Sequence, residues 1–96
     1  MTKKHFIALA IEFGEAWRHF DIDAAAGDID ARTLYATSDA LTNAQARVMG
    51  VCARSNPRFD REHFAEFVQE IRRYERDLDG RKIPAAKRRA AAGVTA

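Results

Sequence analysis

Asn56-Pro57 interrupts a chain whose other long stretches have helical period, and it constrains the fold more than any other pair. Pro57 has no N–H to donate and pushes Asn56 out of helical angles, so a helix arriving from the N-terminal side must stop by about Ser55. The restart is equally marked in SNPRFDREHF, residues 55–64. Asp60 can accept from the N–H of Glu62 or His63 and stands at the positive end of the next helix dipole. Phe59 and Phe64 occupy the N′ and N4 positions of a hydrophobic staple. The stretch reads as a corner between two helices.

On either side the period is three and four. Phe64, Phe67, Val68, Ile71, Tyr74 and Leu78 form the cleanest stripe, and they predict a third helix that ends at Gly80 as a left-handed C′ residue, with Arg72, Arg73 and Arg76 facing its negative end. Upstream, Leu34, Leu41, Val48 and Cys52, flanked by Ala44 and Val51, predict a second helix from about Ala31 to Arg54. Its middle, ATSDALTNAQ, is rich in residues that favour caps over helix interiors, and TNAQ has the form of a capping box. A break or kink between Thr37 and Thr42 is therefore allowed for. Phe6, Ile7, Ala10, Ile11, Phe13, Gly14 and Trp17 predict a first helix from Thr2, its N-cap, to about His19.

Between the first two helices lies DIDAAAGDID. An EF-hand loop begun at Asp21 would need an oxygen ligand at Ala25, glycine at Ala26 and glutamate at Arg32, so calcium is rejected. The segment reads as an interhelix connection with Asp30 as N-cap and an Ile29/Leu34 staple.

The fold expected is all-α, a small antiparallel three-helix bundle, 1–80, followed by a basic, Ala-rich, disordered tail, 81–96. Ninety-six residues make one domain with a thin core, able to bury only about 60–65% of the unfolded chain's surface. Charge separates the two parts. Residues 1–79 hold 11 Lys and Arg against 14 Asp and Glu, whereas the remainder holds five basic residues and no acid, so the basic character belongs to the tail. No apolar run approaches the roughly 18–20 residues of a membrane span. Glu12 and Glu15 stand where a signal peptide needs uncharged chain, which predicts a cytoplasmic protein.

Catalytic chemistry finds little support. Cys52 excludes an internal disulfide framework, and its place on a core face keeps the thiol protonated, against a nucleophilic pair with His63. His5, His19 and His63 lack the i+3 or i+4 partners of a helical metal site. Glu62, Glu66 and Glu70 follow an exposed row without the burial that acid catalysis requires. The chain is expected to be no enzyme, to hold no metal and to need no cofactor, its three greasy surfaces closing on one another without a sheltering pocket.

Two charged surfaces remain as partner sites. Glu12, Glu15, Asp21, Asp23, Asp28 and Asp30 give the molecule one acidic end, able to imitate phosphates and occupy a basic groove on a partner. Arg81, Lys82, Lys87, Arg88 and Arg89 can neutralise phosphates, with Arg72, Arg73 and Arg76 extending that basic patch, so non-specific nucleic-acid contact through the tail is the alternative. RSNPRFD is too long and proline-broken for the tight turn of a helix-turn-helix. Self-association is a third reading, because Phe13, Trp17 and Tyr74 lie near the edge of a thin core that a homodimer partner would complete.

MTKKHF at the start, together with NPRFDREHF in the second half, resembles a group of small, largely uncharacterised bacteriophage and prophage accessory proteins. In that group a Met-Thr-Lys-Lys-aromatic opening leads a short helix and an Asn-Pro-Arg-Phe-Asp motif precedes the last one. The likeness covers about fifteen residues; this chain continues through AEFVQEIRRYERDLDG where the group stops sooner at a Cys-Gly ending. It implies context: a small accessory protein of a mobile element, acting inside a bacterial host cell. With one acidic end and one basic tail, such a protein fits one that binds a host or phage protein complex, including an inhibitor of host defence of the anti-CRISPR type. The group has no activity to carry over, so no residue inherits a role from it.

Overall fold

The computed structural model describes residues 2–84 and is all-α: α1 (Lys3–Ala26), α2 (Ala31–Ser55) and α3 (Arg61–Arg72), followed by a short turn held by an isolated antiparallel bridge between Arg76 and Lys82. The tail expected to be disordered lies, from residue 85, outside the described residues. No described helix is long and apolar enough to cross a membrane.

Each helix starts where local chemistry places it. The backbone N–H of Thr2 donates to Nδ1 of His5 at 3.1 Å, a histidine standing where a capping box usually has glutamate. Asp30 accepts from the N–H of Thr33 at 2.7 Å, and this bond holds its carboxyl below its ordinary pKa. Asp60 accepts from the N–H of His63 at 3.0 Å, and the Phe59 and Phe64 rings meet at 5.5 Å as the staple. The corner at Pro57 is as expected, with the N–H of Arg58 donating to the Asn56 side chain at 2.9 Å.

Three expectations are corrected. The first helix runs seven residues past His19 to Ala26, so most of DIDAAAG is helical; the alanines favour it, and Gly27 ends it in the left-handed region at φ 74°. The second helix is unbroken, because the Thr42 hydroxyl donates back to the Ser38 carbonyl at 2.9 Å instead of capping a new start. The third helix stops at Arg72, well short of Gly80. Its C′ residue is Tyr74, at φ 62°. The Tyr74 N–H reaches the Ile71 carbonyl at 3.2 Å and the Glu75 N–H the Glu70 carbonyl at 2.8 Å, the paired bonds of a Schellman ending. Gly80 does take a left-handed angle, 83°, but within the turn that follows, and Leu78 is exposed there instead of extending the core stripe.

That turn is fastened to α3. Arg76 donates to Glu70 at 3.0 Å and to the Gly80 carbonyl at 2.7 Å while lying over the Phe67 ring. The Ile83 N–H closes on the Glu75 carbonyl at 3.0 Å, so the folded part extends past residue 80 and Ile83 is half-buried.

Contacts order the helices in space. Gly14 meets Val68 and Ile71, Asp21 meets Arg72 and Phe6 meets Phe59, so α1 and α3 run parallel and α2 runs against both. The bundle is flattened to 43 × 35 × 16 Å, little more than one layer of helices. Its core is correspondingly small: Ala10, Trp17, Phe64, Phe67, Val68 and Ile71, with Cys52 buried on α2. In so thin a slab α2 is only half-covered. Leu34, Leu41 and Val48 are half-buried, and Ala44 and Val51, expected to flank the buried stripe, are exposed.

Candidate interaction groove

Closure of the three helices is incomplete at one end. Between the N-terminal turns of α1, the corner after Pro57 and the start of α3 lies a cleft of about 400 Å³, half open to solvent. Its floor and walls are Phe6, Ile7, Ala10, Phe59, Phe64 and Phe67, which local patterning assigned to stripes and to a staple. Phe6 and Phe59 pack at 4.9 Å between centroids and tilted by 58°, so the two rings interlock where they line the cleft. Lys3 of α1, Arg58 of the corner and His63 of α3 also line it, each exposed. The carboxylate of the groove, Asp60, is already spent on the first turn of α3.

The field at this end is positive for a further reason. Because α1 and α3 are parallel, both helix N-termini open here, each equivalent to about half a positive charge, and Lys4 and Arg61 lie in the same first turns with one carboxylate, Glu62. Sequence reading missed the groove, since it exists only where an aromatic corner fails to fill the space between two helix starts. The available signal was the basic residues at the first turns of the first and third helices.

A second, polar cleft of about 340 Å³ lies beside Glu66, Gln69, Glu70, Arg73, Glu75 and Lys82. No group of three or more His, Cys, Asp or Glu among the described residues could hold a metal ion. Cys52 is fully buried and does not line the groove, whereas His63 is exposed on its rim.

The acidic end is partly committed to the fold. Asp21 receives both Nε and Nη2 of Arg72 at 2.8 Å, a bidentate pair that raises the Arg72 pKa, chiefly through that hydrogen bond and against partial burial. Asp30 is a cap, and Glu15 lies 3.9 Å from Arg18 and 3.6 Å from His19. Glu12, Asp23 and Asp28 stand exposed.

The basic residues are not gathered into one row. Arg72 also lies over the Trp17 ring at 4.6 Å, and Arg76 is held by Glu70 and Phe67. Arg73 and Arg81 are exposed, Lys82 reaches Glu70 at 3.5 Å, and Lys87, Arg88 and Arg89 lie outside the described residues. The cation that serves the end of α3 comes from α1: Arg18 donates to the Ile71 carbonyl at 2.8 Å and stacks 4.0 Å over Tyr74. A second unforeseen link joins α1 to α2, where the Trp17 indole N–H donates to Gln45 at 3.0 Å.

The chain matches no family model, and no curated protein or solved structure matches it.

Proposed function

We propose that this chain is a non-enzymatic protein that works by binding a macromolecule through the groove between the starts of α1 and α3. The observation that carries the reading is the groove itself: an apolar, aromatic-walled trough of about 400 Å³ left open at the surface of a domain too thin to spare apolar surface. The polar groups around it favour recognition over chemistry. Lys3, Arg58 and His63 are rim groups, and the Asp60 carboxylate is bonded to the backbone of α3.

The likeness to bacteriophage and prophage accessory proteins supplies the setting: a partner complex inside a bacterial host cell, with inhibition of a host defence complex, of the anti-CRISPR type, as the biological outcome. The exposed carboxylates Glu12, Asp23 and Asp28, none of which lines the groove, offer such a complex a second, phosphate-like contact. A regulator that binds nucleic acid draws less support, because Arg72 and Arg76 are engaged with carboxylates.

The test is affinity capture from host extract with the full chain and with Phe59→Asp, each checked for helicity by circular dichroism. The expected result is a protein retained in stoichiometric amount by the native chain and lost with the variant. Equal retention by both, or none by either, removes the groove as the contact surface. Expression in a CRISPR-immune host tests the finer reading: phage plating should rise severalfold, and unchanged plating removes defence inhibition.

A further inference from the structure

We infer that the groove accepts an acidic amphipathic helix of its partner protein, one that seats bulky apolar side chains against Phe6, Phe59 and Phe64 and turns carboxylates toward Lys3, Arg58 and His63. The inference rests on the proposed function and narrows it to one chemistry of partner.

Charge complementarity decides the sign of the occupant. Two cationic side chains, Lys3 and Arg58, and the polar imidazole of His63 line the trough against one carboxylate that is already hydrogen-bonded. Two parallel helix N-termini add to the same field. A basic segment would meet this potential unpaired, whereas an acidic one is drawn in at the encounter stage and held in register by the rim. The trough sets the rest of the chemistry. Its wall is almost wholly apolar, so a highly charged coil would leave it unfilled; alternating leucine-like and carboxylate residues at helical spacing satisfy both floor and rim.

The other occupants fit less well. Nucleic acid would match the charge, but a wall that is almost wholly apolar with two cations, Lys3 and Arg58, gives a phosphate backbone little to follow. A fatty acid brings one carboxylate to a trough lined by two cations, Lys3 of α1 and Arg58 of the corner.

The experiment uses the full chain and a fluorescein-labelled 18-residue Leu/Glu amphipathic peptide, with a Leu/Lys peptide of the same pattern as control, read by anisotropy at low salt and at 150 mM salt. The Leu/Glu peptide is expected to bind at least tenfold more tightly than the control. The Lys3→Glu/Arg58→Glu variant alters two exposed side chains and should keep its helicity; it should abolish or invert that preference. Equal binding of both peptides, or a preference untouched by the variant, overturns the inference. So does displacement of the Leu/Glu peptide by equimolar oligothymidylate or dodecanoate, or light scattering that shows a dimer dissolved by the same charge reversal. A host protein that is captured by the native chain and lost with Phe59→Asp, yet indifferent to the Lys3→Glu/Arg58→Glu variant, would leave the groove's function standing and remove only the acidic helix.

Discussion

The crossing of α1 with α3 and the lie of α2 across the pair are built to different standards. At the first, Gly14 brings the backbones so close that a Cβ there would overlap Cβ and Cγ2 of Ile71 and come within 3.0 Å of the Val68 carbonyl oxygen. Around this point Ala10, Val68 and Ile71 are almost completely buried. The second contact is looser: α2 keeps Cys52 buried and one indole bond through Gln45, while Tyr35 is 77% exposed and Val51 48%. The domain is therefore a tight pair with a third helix leaning on it. Stability resides in the pair, because burial and close packing set the cost of any change there.

Substitutions can break or sharpen that contrast. The largest effect is expected for Ile71→Ala, about 2–5 kcal/mol of lost stability by urea denaturation, against less than about 1.5 kcal/mol for Leu41→Ala on the half-covered side. Equal losses would show that α2 is as integral as the pair. Next come the two buried glycines, which should respond with opposite signs. Gly14→Ala should cost about 1–3 kcal/mol through overpacking, even after the gain in helix propensity. Gly50→Ala finds only the Arg54 guanidinium at 3.5 Å and should gain about 0.5–1 kcal/mol. Their melting temperatures should move apart, and a common shift would place the tight crossing elsewhere.

A smaller loss, under about 1 kcal/mol, is expected for Asp21→Asn: the pair with Arg72 is bidentate, but the Asp21 side chain is 44% exposed and screened by solvent. The smallest effect is local and concerns acid. Asp30 has its carboxyl depressed by the Thr33 N–H, so its contribution is present above the unfolded value of about 3.9 and is lost as pH falls through the lower folded value. The protection factor of the Thr33 amide should fall below about pH 4, before α3 responds. A global transition with no earlier change at Thr33 would show that α2 does not open independently.

Much of this fold was legible locally. Asp30, Asp60 and Pro57 act on their own neighbours, and the stripes of α1 and α3 follow from spacing alone. The errors fell at ends and in the middle of α2. Nothing about Tyr74 predicts a left-handed C′ residue, since tyrosine resists that angle; it is held there with Arg18, from α1, stacked over its ring. The expected acidic and basic surfaces were each thinned for the same reason, as Asp21, Arg72 and Arg76 were assigned to partners while the fold had already engaged them.

By itself, then, the order of residues determined three helices, their starts, the corner between the last two and the inward faces of α1 and α3, because caps, proline geometry and helical period act over a few residues. Tertiary structure alone decided where α3 ends, which charges are free and that an apolar trough stays open between two parallel helix starts. Arg18 meets Ile71 across 53 positions of chain and Asp21 meets Arg72 across 51. Such contacts depend on how closely two backbones approach at Gly14, a distance no local pattern encodes.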